Sequence, residues 1–165
     1  MFHTYGTWLP GDPHGFRTRH GRQHIDGDYK NPPREDFTAL HKHSASLLKR
    51  PPVRFSPEQR TIVRDALLAS FAKWGVELVV LSVDSIHVHL LARFPRQNPR
   101  HFIGLAKKES SAFLKRMEGF AADGLWGARA QCEPIENRAH QVSTVRYILR
   151  HQDKGAAVHS QKRAK

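Results

Sequence analysis

Two histidines stand one residue apart in an apolar run, Ile86-His87-Val88-His89-Leu90-Leu91. A core has better fillers than imidazole, so the spacing calls for a reason. Side chains alternate along a strand, and residues two apart share a face. His87 and His89 therefore point the same way, while Ile86, Val88 and Leu90 point the other way, into a core. Two imidazoles side by side can hold a divalent cation through their ring nitrogens. The chain has 12 histidines, so a His-x-His pattern also arises by chance, and a metal site needs a third ligand.

A tyrosine near the C-terminus offers the partner chemistry. Residues 139–153, AHQVSTVRYILRHQD, read as a helix with Val142, Val145, Ile148 and Leu149 as its core stripe. At about 100° per residue, Tyr147 and His151 fall together on the side away from that stripe, one turn apart. His151 is the candidate third ligand, with Gln152, at an angle nearer the stripe, as the alternative. A cation held by His87, His89 and His151 beside a phenol suits phosphoryl transfer. Mg²⁺ or Mn²⁺ would polarise a phosphoryl oxygen, and Tyr147 would attack phosphorus as a covalent nucleophile. Three imidazole nitrogens would also suit Zn²⁺.

The composition agrees with a phosphate-bearing partner. Lys and Arg number 27 against 15 Asp and Glu, a net charge of +12 over 165 residues. Such an excess favours a polyanion, nucleic acid first. The basic residues are spread along the chain, which argues against a basic amphipathic membrane helix. No run of apolar residues is long enough for a membrane span. The opening MFHTYGTWLPGD lacks a signal-peptide pattern, and Cys132 as the single cysteine excludes an internal disulfide. A cytoplasmic setting is expected.

The remaining elements must position these groups. FHTYGTWL, residues 2–9, reads as a strand closed by a turn at 10–13. Residues 10–52 form a long loop rich in Pro, Gly, Arg and His, with a short helix expected near 36–48. Residues 56–75 read as a helix, with Ser56, Pro57 and Gln59 making a capping pattern. Its apolar stripe is Ile62, Val63, Ala66, Leu67, Phe71 and Trp74. Residues 76–83 and 86–94 pair as a hairpin about Asp84-Ser85. A helix over 98–119 turns Phe102, Ile103, Ala106, Phe113, Leu114 and Met117 inward, and leaves Arg100, Lys107, Lys108, Lys115 and Arg116 outside. A weak strand is expected at 131–135. Residues 1–153 would make one catalytic domain and 154–165 a basic flexible tail. The order predicts an α+β fold of the split βαβ, ferredoxin-like kind. Its antiparallel sheet would carry helices on one face and a C-terminal catalytic helix.

With the motifs in this order, the chain resembles the single-tyrosine HUH transposases of the insertion-sequence-200 type and the REP-associated tyrosine transposases. TYGTWLPGD resembles the first strand and turn of one branch. His87-Val88-His89 matches the histidine-hydrophobic-histidine signature. Leu125-Trp126 resembles the segment before the last helix, and Tyr147-Ile148 the start of the tyrosine motif. The resemblance implies metal-assisted cleavage and rejoining of single-stranded DNA through a 5′-phosphotyrosine intermediate, with recognition of hairpin DNA and a possible homodimer. By position, His87 and His89 become metal ligands and Tyr147 the nucleophile. Many members carry Gln four residues after the tyrosine, where this chain has His151. Lys107, Lys108, Lys115 and Arg116, with Arg17, Arg19 and Arg22 in the long loop, are candidate DNA contacts. Trp8, Phe16 and Trp126 could stack on unpaired bases. A catalytically inactive hairpin-binding module and a metal-dependent nuclease using water stand as alternatives.

Overall fold

The computed structural model describes residues 1–13, 16, 37–95, 98–121 and 123–161. In chain order these form β1 (Phe2–Thr4), α1 (Thr38–Ser46), α2 (Pro57–Lys73), β2 (Glu77–Val83), β3 (His87–Arg93), α3 (Pro99–Leu114), β4 (Trp126–Ala130), α4 (Arg138–Leu149), a 3-10 turn (Arg150–Lys154) and β5 (Ala157–Ser160). The sheet order is β4-β1-β3-β2-β5, and every pairing is antiparallel. The first four strands with α2 and α3 make an α+β fold of the ferredoxin-like kind, and β5 extends the sheet at one edge.

Local chemistry sets the elements. The backbone N–H of Gln59 donates to Ser56 Oγ at 3.2 Å, and the backbone N–H of Ser56 donates to Gln59 Oε1 at 2.9 Å. This reciprocal cap satisfies two donors that a helix start leaves unpaired. Val63, Leu67 and Phe71 of α2 are fully buried. They pack with Phe102, Ile103 and Ala106 of α3 onto one face of the sheet, where Phe2, Leu81, Val83 and Val88 meet them. The other face carries a second, smaller cluster. Val80, Leu91 and Ile148 are its buried members, with Val79, Val145, Leu149 and Val158 beside them. Alternation along β2 feeds both clusters, and a register shift between Leu78 and Val80 puts Leu78 on the same face as Leu81 and Val83. Thus α2 and α3 lie on one face, and α4 lies alone on the other.

Several expectations need correction. The strand expected over 2–9 ends at Thr4, because Gly6 takes a left-handed turn (φ 72°) and Thr4 Oγ1 donates to the Val53 carbonyl at 2.7 Å. The strand expected at 131–135 lies instead at Trp126–Ala130. Trp126 is what fixes it there, packing edge-on against Phe2 with ring centres 5.1 Å apart and donating its indole N–H to Ser110 Oγ at 3.1 Å. Residues 157–160 are not a frayed tail but form β5, paired with β2 from Ala157↔Val83 to Ser160↔Val80. Gly155, at φ 80°, turns the chain into that strand. Phe113 was expected inside but is 54% exposed, and Trp74 is 37% exposed. Both fall beside the α2–α3 contact rather than within it.

The cap of α2 can be measured. Replacing Ser56 with Ala should lower the unfolding free energy by about 1 kcal/mol. A urea titration showing no change would mean that the cap contributes nothing to the fold.

Candidate active site

The site grows from the alternation of β3. Val88 is fully buried on the face that packs against α2 and α3. His87, His89 and Leu91 take the opposite face, and there Leu91 packs against Ile148 of α4. That contact brings the end of α4 over the two histidines. His151, in the 3-10 turn, is 7% exposed and lies with its ring centre 4.7 Å from that of His89 and 5.5 Å from that of His87. The His87 and His89 rings are 4.8 Å apart. One ligand atom from each of the three lies within 4.8 Å of the others, close enough to hold a metal ion. Of the two candidates for a third ligand, His151 is in this cluster, and Gln152 is exposed.

Tyr147 joins the same cluster. Its ring centre is 5.3 Å from His89 and 5.1 Å from His151, edge-on to both. The side chain is 45% exposed, and it borders a cleft of about 740 Å³ with His89, His140, Thr144 and Arg150. A cleft of this size admits a group about as large as a drug molecule.

Three further residues were not singled out from the sequence. Asp84 Oδ2 lies 3.7 Å from His87 Nε2 and 3.6 Å from His151 Nδ1. Both distances exceed a hydrogen bond but lie within electrostatic reach. Its Oδ1 accepts from the Ser85 backbone N–H at 2.6 Å, which fixes the carboxylate at the hairpin. His3 pairs with His87 in the β1–β3 register, and Ser82 pairs with His89 in the β2–β3 register. Directly opposed residues share a face, so both belong to the site. Asp84 carried a signal, since it adjoins the His-x-His strand. His3 and Ser82 carried none, because only strand register places them.

The buried side-chain polar atoms without a hydrogen-bond partner, among the described residues, are His3 Nδ1, Ser82 Oγ and His151 Nδ1. All three lie around the histidine pair. A buried group left unpaired costs about 1–3 kcal/mol, and among the described side chains that cost falls here. Electrostatics point the same way. Burial, then the neighbouring His87, pushes the His3 pKa down to about 4. Burial, then His87 and His151, pushes that of His89 down to about 3. Burial lowers that of His87 too, with Asp84 opposing. His87 and His89 are therefore neutral at pH 7, with lone pairs available to a cation. Neutral imidazoles and an unpartnered ring nitrogen fit a resident divalent metal.

The candidate DNA contacts fall elsewhere. Lys107 donates to the carbonyls of Gly127 and Arg129, each at 2.9 Å, and its ammonium stands 4.9 Å over the Phe2 ring. Burial lowers its pKa to about 8. Lys107 ties α3 to β4. Lys108, Lys115 and Arg116 are exposed in the helical layer on the far side of the sheet from the histidines. Arg17, Arg19 and Arg22 lie outside the described residues. Phe16 is 3% exposed and packs edge-on against Phe37, and Trp126 packs against Phe2 and Phe55. Trp8 is 42% exposed and stacks on His3 with ring centres 4.8 Å apart. Of the three aromatics, it alone presents substantial surface beside the site. No helix among the described residues is long and apolar enough to cross a membrane.

No protein-family model matches this chain, and no significant match is found among curated proteins or solved structures. What the site does must be argued from its own atoms.

Two outcomes are expected. A divalent ion such as Mn²⁺ or Zn²⁺ at about 100 times its dissociation constant should stabilise the fold by about 2.7 kcal/mol. The rise in melting temperature should vanish in His151→Ala, and equal shifts in variant and parent would remove His151 from the site. In chelator, stability should fall with pH. The unfolded histidines protonate near 6.5, whereas folded His3 and His89 resist until about 4 and about 3. Below pH 6.5 the unfolded chain binds more protons and is favoured. The loss should run from pH 6.5 down to about 3 and be shallower in His89→Gln. Parallel pH curves for the two proteins would contradict the burial argument.

Proposed function

We propose that this protein is a DNA transposase of the single-tyrosine HUH type, which cleaves and rejoins single-stranded DNA. The observation that carries the reading is the meeting of Tyr147 with His87, His89 and His151, with Tyr147 5.3 Å from His89 between ring centres. The tyrosine is exposed to a cleft in a protein of net charge +12. His87, His89 and His151 would hold the ion, for which Mg²⁺ or Mn²⁺ suits phosphoryl transfer. When bound, the ion would supply Lewis-acid polarisation of the phosphoryl group and offset charge in the transition state.

The chain supplies the rest. Tyr147 Oη attacks phosphorus, and the bond from phosphorus to the 3′ oxygen breaks. The phenolic proton is lost to a base, and the departing 3′ oxygen gains one, so the step is neutral in protons. The products are a 5′-phosphotyrosine and a free 3′ hydroxyl. A free phenol has a pKa of about 10, so its deprotonation needs the site's positive field. One phosphodiester replaces another, and a later attack by a 3′ hydroxyl on the phosphotyrosine rejoins DNA without a nucleotide triphosphate. Asp84, with Oδ2 3.7 Å from His87 Nε2 and 3.6 Å from His151 Nδ1, adds one negative charge beside the three histidines. A hairpin fits the reading as the structured feature that presents an unpaired strand to the cleft.

Incubating the protein with a single-stranded hairpin oligonucleotide and Mn²⁺ should yield a covalent adduct that survives denaturing electrophoresis. Tyr147→Phe should abolish the adduct while binding persists. An undiminished adduct yield in that variant would end the assignment, and cleavage without any adduct would favour water as the nucleophile.

A further inference from the structure

The outer side of α4 carries a row of arginines that the sequence reading did not use. Arg138, Arg146 and Arg150 are exposed and border one open depression with Ala139, Val142 and Ser143. Steps of four residues advance about 40° around the helix, so the three arginines follow a shallow spiral that borders the one depression. Arg146 and Arg150 are one turn apart, about 6 Å along the axis, and Arg138 lies about 12 Å before Arg146. Neither the Arg146 nor the Arg150 guanidinium has a hydrogen-bond or ion-pair partner among the described residues. Arg138 donates to Gln141 Oε1 at 2.8 Å. The helix itself, RAHQVSTVRYIL, contains no Asp or Glu. Three like charges in a row oppose each other, and that repulsion is relieved when a polyanion lies along them.

The row leads into the site. Arg150 borders both this depression and the cleft that holds Tyr147 and His89. Tyr147 follows Arg146 directly and precedes Arg150 by three residues. A chain of phosphates following the arginines therefore arrives beside the phenol. The cleft, at about 740 Å³, has room for a group about as large as a drug molecule beside the phenol. We propose that Arg138, Arg146 and Arg150 form a track for the backbone of single-stranded DNA, which guides it along α4 into the cleft at Tyr147. The track extends the transposase reading by assigning the surface that holds the strand. Guanidinium groups suit it, since each can fork onto a phosphate without reading the base. The exposed cations Lys108, Lys115 and Arg116 lie across the sheet and do not lead to the cleft.

The test is the salt dependence of binding, measured by fluorescence anisotropy with a labelled hairpin oligonucleotide bearing a single-stranded extension. Each phosphate contact to a single strand contributes about 0.7 to the slope of log affinity against log salt. The triple variant Arg138→Gln, Arg146→Gln, Arg150→Gln should lose about 2 from the magnitude of that slope. The single variant Arg146→Gln should lose about 0.7. Circular dichroism establishes that each is folded. A triple variant on the other layer, Lys108→Gln, Lys115→Gln, Arg116→Gln, carries the same loss of charge and should leave more of the slope intact. An unchanged slope in the α4 variant, an equal loss in the α3 variant, or no binding of the extension by the parent protein would each overturn the track. The adduct assay judges the nucleophile separately. Adducts with an unmoved slope sink the track alone, and a reduced slope without adducts leaves the track standing and removes the nucleophile.

Discussion

The small apolar contact between α4 and the sheet decides whether there is a site at all. Ile148 is 2% exposed against Val80 and Leu91, and those three are the buried members of the second cluster. Fully burying a side chain of this size is worth about 1.5–3 kcal/mol. Among the described residues the main core has 15 buried members, so the helix bearing Tyr147, with the turn bearing His151, is held far less firmly than α2 or α3. The 3-10 turn after α4 is tied from both ends, by Ile148 and by the pairing of β5 with β2. Tyr147 thus sits on an element with a weak hold at its centre and a firm one beyond its end. Local opening draws on the least stable parts of a fold, and α4 is such a part.

β3 shows why the site can be both placed and costly. One set of its side chains, with Val88 fully buried, builds the main core and fixes the register. The alternate set cannot then move, because a slip of one residue would carry the histidines into that core. The rigidity that places His87 and His89 also brings His3 and Ser82 against them through register. The result is a patch of neutral imidazoles and unpartnered polar atoms where further apolar side chains would have packed well. A fold departs from good packing chiefly where function requires it, and here the departure is confined to one face of one strand pair.

The parts legible in the sequence were those with a short-range physical cause. Ser56 and Gln59 capped α2 as read, the hairpin turned at Asp84-Ser85, and alternation put His87 and His89 on one face. The helical angle grouped Tyr147 with His151, and the two do meet. What was missed depended on distant contacts. Nothing local marks Trp126 as the start of β4, since its place follows from Phe2 and Ser110. Ala157–Ser160 looks like a polar tail until β2 offers it an edge. Phe113 looks like core by its period, but Leu114 takes the buried place beside it. Lys107 looked like a free cation, and only the carbonyls of Gly127 and Arg129 show it to be a strut.

For the phosphoryl transfer proposed above, imidazole ligands have an advantage over carboxylates. Carboxylate ligands would cancel the charge of a divalent ion before a negatively charged strand arrived. Neutral His87 and His89 cancel none of it, and Asp84, 3.7 Å from His87, offsets one unit at most. A dication held there, with one nearby carboxylate, would keep a net positive charge. That field would attract phosphate and favour a phenolate over a phenol, two effects that a carboxylate-rich site would lose together. The requirement for neutral ligands in turn explains the burial of the histidines. An exposed imidazole near its ordinary pKa would be partly protonated, and a protonated ring cannot ligate. Burial against the neighbouring rings lowers the pKa of His87 and of His89 and so reduces that competition at those two rings. The docking of α4 brings His151 to them.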